Sequence, residues 1–259
     1  WDLYEGAEIE VPEFPNNLDD TYSMMDRCLN AYHGTRRYNL RDPDGLRKLR
    51  RAYYGLVTYM DRKVGELLDT LEATGQADNT LVIFMSDHGE MLGDHYRWRK
   101  SLPYEGSAHI PFMIQATERF GLRKGTVDST PVCIEDIMPT LLDMADVEAP
   151  EGIDGHSLLP LMRDASLIDR PYLHIETAPT YQCLTDGKEK FIWYVEDGRE
   201  EFFDLTVDPR EERNLIHSSS DRAGWWRGEL VSVLAGRDEG FSDGMSLIAG
   251  RRYPGLGRG

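Results

Sequence analysis

Three cysteines in 259 residues, Cys28, Cys133 and Cys183, are too few and too widely spaced to build a disulfide framework or a paired-cysteine metal site. They read as core or surface thiols and leave the redox compartment open. Long apolar runs are also missing. A bilayer span needs roughly 18 to 20 continuous apolar residues, and the best run here, Leu81–Met85, is one strand long. Positive charge is scarce: 29 Lys and Arg face 46 Asp and Glu, a formal net charge of −17. Binding a phosphate backbone requires a concentrated basic face that releases counterions, so nucleic acid is not an expected partner. The first residues, Trp1-Asp2-Leu3-Tyr4-Glu5, lack an initiator Met, a basic n-region and an apolar h-region, so the expectation is a chain that begins inside a longer protein.

What is present is enough to fold. A hydrophobic fraction of 40 %, with 5 Trp and 13 Tyr, gives apolar surface to offset the ordering entropy of the chain. Residues 1–42 mix Pro12, Pro15, Asn16 and Asn17 with polar and aromatic residues and show no sustained period, which reads as a long surface segment. From Asp42-Pro43 onward, Leu46, Leu49, Tyr53, Leu56, Val57, Met60, Val64, Leu67, Leu68 and Leu71 recur at helical spacing. Asp42 as N-cap, Pro43 in the first turn and Gly75 at the stop predict one long amphipathic helix. The run Thr80–Met85 then predicts a strand buried on both faces, fed by the helix as half of a parallel crossover. Ile110–Ile114 reads as a second strand, Ile134–Met144 as a helix and Leu173-His174-Ile175 as a short strand. Beyond about residue 165 the texture changes to short strands, Tyr181–Thr185, Phe191–Val195 and Glu201–Asp204, separated by the hairpin signals Asp186-Gly187 and Asp197-Gly198. Trp225–Leu234 predicts a last helix, followed by a glycine-rich irregular tail from Gly236.

Chemistry concentrates where the first strand ends, in Ser86-Asp87-His88-Gly89-Glu90-Met91-Leu92-Gly93-Asp94-His95. Ligands gather outside the carboxyl ends of strands in open α/β sheets. A carboxylate beside an imidazole offers donors acceptable to Ca²⁺, Mg²⁺, Mn²⁺ or Zn²⁺. Neighbours on extended backbone point apart, so both can serve one ion only where the chain turns, and Gly89 permits a turn. A plain Asp/His turn or helix cap is the alternative. Downstream, Arg97, Arg99 and Lys100 make a positive island in an acidic chain, suited to an anionic group or, equally, to a solvated charge cluster. Tyr96, Trp98 and Tyr104 could stack on a sugar or aryl ring, or simply rim the core.

Taken in order, these segments resemble a family. The helix YYGLVTYMDRKVGELLDTLEATG, the strand and loop ADNTLVIFMSDHGEMLGDH, and WRKSLPYEGSAHIPFMI are similar to the type I sulfatases of the alkaline-phosphatase-like superfamily, bacterial arylsulfatases among them. Asp154-Gly155-His156-Ser157-Leu158-Leu159-Pro160 matches the family's DGxSLLPLL, and Phe203–Leu215 matches its closing YDLxxDPxExxNL. The likeness runs collinearly over about residues 1–216.

The resemblance implies an α/β fold. Residues 1–165 would form part of an alkaline-phosphatase-like sandwich, a mixed sheet flanked by helices, and residues 166–259 a small antiparallel-sheet subdomain with a helix and irregular tail. It implies a sulfuric ester hydrolase in which Asp87 and His88 match the positions that bind the divalent cation, usually Ca²⁺. Lys100 matches the lysine that contacts the sulfate; His109, where relatives often carry Arg, is a weaker substrate contact, with Arg99 and His95. The substrate would be a sulfated small molecule or carbohydrate. The departures are equally specific. Relatives carry a C/S-x-P/A-x-R motif converted to formylglycine, and none of Cys28-Leu29-Asn30, Cys133-Ile134-Glu135 or Cys183-Leu184-Thr185 fits it. The family's early Asp-Asp metal pair has only Asp19-Asp20, in an irregular stretch, as a counterpart, and an expected histidine motif is missing. The expectation is the C-terminal half of a sulfatase whose nucleophile-bearing N-terminal half lies outside this chain. A phosphodiesterase or phosphonate monoester hydrolase of the same superfamily, or a non-catalytic fragment, stays open.

Overall fold

A computed structural model of the chain describes residues 2–13, 42–165, 168–177 and 180–251. Asp19-Asp20, Cys28 and most of the expected surface segment 1–42 lie outside the described residues. The chain forms two compact units, Trp1–Gln115 and Ala116–Gly259.

The first unit is organised by α1, Pro43–Ala73, a helix of 31 residues. Its start is built as the sequence implies: the Asp42 carboxylate accepts from the Asp44 N–H at 3.1 Å, satisfying a first-turn donor, and Pro43 occupies a position whose N–H would be unused. It ends at Thr74, and Gly75 takes φ +67°, the left-handed stop that glycine adopts without penalty. The anticipated apolar stripe is only partly covered. Leu46 is fully buried, Leu49, Tyr53, Val64, Leu68 and Leu71 are half-buried, and Leu56, Val57, Met60 and Leu67 stay exposed among the described residues. The amino-terminal strip packs on this helix, with Tyr4 Oη 2.6 Å from Thr58 Oγ1 and the Tyr4 and Tyr54 rings 5.6 Å apart.

After α1 the chain enters β1, Val82–Met85, whose partner is β2, Phe112–Gln115, in the register Val82↔Gln115 to Met85↔Phe112. This corrects two expectations. The pairing is antiparallel rather than half of a parallel crossover, and all four β1 residues are half-buried rather than enclosed on both faces. An apolar run measures how much surface wants cover; it carries no information on strand direction or on what supplies the cover. The one-turn helix α2, Glu105–Ala108, precedes β2.

The second unit holds α3, Ile137–Met144, and α4, Leu159–Asp164, and then an antiparallel meander. Its strands are β3, Leu173–Thr177, β4, Tyr181–Thr185, β5, Glu189–Tyr194, and β6, Glu200–Asp204, paired in chain order. The first hairpin turns as its sequence demands: Gly187 takes φ +81° and the Asp186 carboxylate accepts from the Lys188 and Glu189 N–H groups. Helix α5, Ser220–Leu234, lays Ala223, Trp226, Leu230 and Leu234 against Leu184, Phe191, Trp193 and Phe202, with Phe241 from the tail in the same cluster. The Lys190–Glu211 ion pair, at 2.7 Å, is completely enclosed.

The two family-like motifs of this unit are structural in their contacts. In the first, Gly155 lies so close to the Glu135 carbonyl that a Cβ would come within 1.9 Å, and the His156 and Leu158 N–H groups bond Asp136 and Thr140 beside α3. In the second, Asp208 receives the Glu212 and Arg213 N–H groups, Glu211 pairs with Lys190, and the Asn214 amide oxygen accepts from Phe202 and Ile216.

Candidate active site

Directly after β1, the Ser86 hydroxyl donates to the His88 carbonyl at 2.6 Å and turns the chain, which puts consecutive side chains on one side. His88 Nδ1 lies 2.8 Å from the Gly89 carbonyl oxygen. A carbonyl can only accept, so Nδ1 carries the proton and Nε2 presents its lone pair. That lone pair faces Asp87 Oδ2 at 3.4 Å and Lys100 Nζ at 2.5 Å, with the ammonium as donor. A carboxylate, a neutral imidazole nitrogen and an ammonium thus converge at the strand end. Asp87 and Lys100 are exposed and His88 is partly covered.

Gly89 is required here for a different reason from the one its sequence position suggested. Its φ is outside the left-handed region; instead its N–H donates to the Ser107 carbonyl at 2.8 Å, and a Cβ would stand 2.2 Å from the Gly106 oxygen. Two backbones meet face to face, which only glycine allows. Beyond it the loop is cross-tied by Met91 N–H to the Arg99 carbonyl and Gly93 N–H to the Arg97 carbonyl, both at 2.7 Å. Leu92, His95, Tyr96, Arg99 and Ser101 all have positive φ, between +48° and +74°. Each such non-glycine residue costs of order 1 kcal/mol or more and persists only where surroundings over-determine it; such residues cluster at functional sites.

The surroundings that do so were not legible beforehand. Arg50 of α1 donates Nε to the Leu92 carbonyl, Nη1 to the Glu10 carbonyl and Nη2 to Asp94 Oδ1, at 2.7, 2.6 and 2.7 Å. Glu90 accepts the Arg99 N–H, and its carboxyl sits above the usual range because burial outweighs that hydrogen bond and the one from Leu92. The buried Met91 and the seat of Leu46 against Gly93 complete the floor. Arg50 and Glu90 were ordinary charged residues in the sequence; the one available signal was the glycine triplet Gly89, Gly93 and Gly106.

The remaining candidates divide. The His95 ring stacks on Tyr104, centroids 3.8 Å apart and planes 8° from parallel, and Tyr104 is buried, so this tyrosine is packing rather than a free stacking face. His109 Nδ1 bonds Glu105 Oε2 at 2.7 Å and its side chain is exposed. Arg97 is buried while Arg99 and Lys100 are exposed, which splits the expected three-cation island.

As a cation site the pair fits in chemistry and spacing. A hard oxygen and an imidazole nitrogen with its second nitrogen anchored on a carbonyl is a familiar ligand arrangement. A separation of 3.4 Å suits neighbouring positions on one ion. Two ligands are a partial set, and no group of three or more His, Cys, Asp or Glu is assembled for a metal among the described residues. No helix among them is long and apolar enough to cross a membrane.

Comparison with known proteins places the chain. The sulfatase family model matches residues 12–147, and the model for the C-terminal region of N-sulphoglucosamine sulphohydrolase matches residues 93–223. An arylsulfatase from Clostridium perfringens is 35 % identical over 98 % of this chain and 53 % of its own length. Among solved structures, a phosphonate monoester hydrolase from Silicibacter pomeroyi aligns with a TM-score of 0.73 at 24 % identity over 90 % of this chain and 51 % of that one. A protein solved in complex with its substrate D-glucosamine-2-N,6-O-disulfate aligns with a TM-score of 0.63 at 24 % identity, over 90 % of this chain and 60 % of that one. The fold is that of the alkaline-phosphatase-like sulfatases, closing in a small antiparallel sheet. The chain belongs to the sulfatase family. It spans about half the length of the curated relatives it matches.

Proposed function

We propose that this chain supplies one side of the active site of a sulfuric ester hydrolase acting on a sulfated sugar or aryl ester. Supporting it is the convergence of Asp87, His88 and Lys100 at the end of β1, in a member of the sulfatase family. In this reading Asp87 and His88 hold part of the coordination shell of a divalent cation. Ca²⁺ is the first expectation, and the imidazole donor also accommodates Mn²⁺ or Zn²⁺. The bound cation would neutralise charge on the ester oxygens as the sulfuryl group is transferred. The chain's own contribution is Lys100, whose ammonium meets sulfuryl oxygens as their charge grows. Arg99, exposed on the same loop, adds attraction for an anion; His109 and His95 are the weaker candidate contacts. The formylglycine nucleophile and the further acidic ligands would come from sequence outside these residues.

The phosphonate hydrolase reading shares the fold; the sulfatase family model and the 35 % identical arylsulfatase favour sulfate. The test is Lys100→Ala in the full enzyme that contains this chain. Lys100 is an exposed loop residue, so stability should shift by no more than about 0.5 kcal/mol. Turnover of a sulfate ester should fall roughly 10²- to 10³-fold, the usual cost of one preorganised electrostatic contact. Lys100→Arg should restore only part, since a planar guanidinium does not place a compact charge at the same point. Near-wild-type turnover by Lys100→Ala would return Lys100 to a solvated charge cluster and leave Asp87 and His88 as this chain's candidate contribution.

A further inference from the structure

We infer that Lys100 is a built-in placeholder for the cation, and that metal loading releases it toward the substrate. The inference rests on reading Asp87 and His88 as cation ligands. Lys100 Nζ lies 2.5 Å from His88 Nε2, the nitrogen whose lone pair a divalent ion would need. The anchor of Nδ1 on the Gly89 carbonyl makes Nδ1 the donor nitrogen of the neutral ring and turns the Nε2 lone pair toward Lys100. Asp87 Oδ2 stands 3.4 Å from the same nitrogen. The ammonium therefore occupies the acceptor that a metal ion would need, and it cannot remain on Nε2 while a metal ion takes that lone pair.

The Lys100 side chain can make such a movement without a change in the held loop backbone. Lys100 sits between Arg99 and Ser101, both at positive φ, in an exposed stretch, and its side chain is long, flexible and exposed. Displaced from His88, the exposed ammonium is open to solvent and to an incoming anion. The consequence is ordering: without metal, the lysine is held on His88 Nε2 and withheld from an anion; with metal, the site gains both the divalent charge and a freed ammonium. An anionic ester is then attracted more strongly by the loaded site.

The test uses the full chain with Mn²⁺ or Ca²⁺ alone, read by calorimetry and by lysine acylation followed by mass spectrometry. Lys100→Met, which keeps the stem and removes the competing charge, should bind the ion about tenfold more tightly than the unmodified chain, and His88→Ala should abolish binding in both backgrounds. Saturating metal should speed acylation of Lys100 several-fold, with the exposed, ion-paired Lys63 and Lys124 as unchanged references. Binding that needs His88 but is no tighter in Lys100→Met, with unchanged Lys100 acylation, overturns the placeholder and keeps the cation site. Tighter binding in Lys100→Met without faster acylation also overturns it, since charge repulsion alone would then account for the gain. Binding that ignores His88 overturns both.

Discussion

The loop of residues 86–109 and the meander β3–β6 solve opposite problems. The meander encloses its side chains, with β4 wholly buried, and answers even a charge in its interior: Lys190 meets Glu211 inside the unit. The loop holds five non-glycine residues at positive φ, leaves Asp87, Arg99 and Lys100 in solvent, and is kept in shape by backbone clasps and one arginine. Stability is invested in the enclosed sheet. The strained, poorly enclosed segment is the one whose polar atoms converge, which is where local opening is cheapest and ligand binding has most to gain.

The sharpest way to break this contrast is in the meander. Lys190→Met should destabilise the protein by about 3–5 kcal/mol, because Glu211 is left charged in an enclosed site. Lys190→Met with Glu211→Leu should recover most of that loss, as apolar replacement of a buried ion pair is often neutral. Denaturant melts of the single and double variants decide it; equal melts would mean that water reaches the pair and that the sheet is less closed than its geometry.

The loop should break differently. Gly89→Ala drives a methyl into the Gly106 carbonyl, and overpacking of this kind costs about 1–3 kcal/mol. The effect should be local: hydrogen exchange should quicken at the Gly89 and Met91 amides while those of β4 and β5 keep their protection. Arg50→Ala comes next, removing donors to two carbonyls and Asp94, at about 1–2 kcal/mol, again confined to this unit. Loss of protection in β4 by either variant would show the two regions to be one cooperative body.

This division also explains what the sequence could tell. Caps are local chemistry, so Asp42, Pro43 and Gly75 placed α1 closely, and Tyr181–Thr185 was bounded correctly because Asp186-Gly187 dictates a hairpin. The family resemblance pointed to Asp87, His88 and Lys100, but the two glycine backbones in contact and the reach of Arg50 join residues 17 and 40 or more positions apart, beyond any periodicity. The misreading of β1 has the same root: burial and strand direction are set by partners, and a run of apolar letters names none.

Acid should separate the regions by pH. Burial pushes the Asp136 carboxyl up, but the forked Arg170 pair, with oxygens 2.9 and 2.8 Å from its nitrogens, and the His156 and Cys133 N–H groups prevail and hold it below its ordinary value. A carboxyl depressed in the folded state contributes stability that is complete above its unfolded pKa, about 3.9, and is lost as pH falls through the folded value. Melts of the second unit should therefore soften below about pH 4. Asp136→Asn should be less stable at neutral pH and show a shallower acid slope; an unchanged slope would remove this pair from the unit's acid response.

The smallest effect is one of reactivity, with stability untouched. Cys133 lies in the same corner: burial first, then the Asp136 charge, pushes its thiol up to about 12, against the opposing pull of Arg170. Only the thiolate attacks an alkylating agent. At pH 8 its thiolate fraction should be roughly one part in ten thousand, against nearly a quarter for a free thiol of pKa about 8.5. Iodoacetamide at pH 8 should leave Cys133 unmodified in the native chain and label it on denaturation, with the native rate rising about tenfold for each pH unit. The enclosed Cys183 should stay silent in the native chain at every pH, because access rather than ionisation limits it. Prompt labelling of Cys133 at pH 8 would mean that the corner formed by Pro131, Asp136 and Arg170 opens readily, and the second unit would then contain a region as loosely held as the loop.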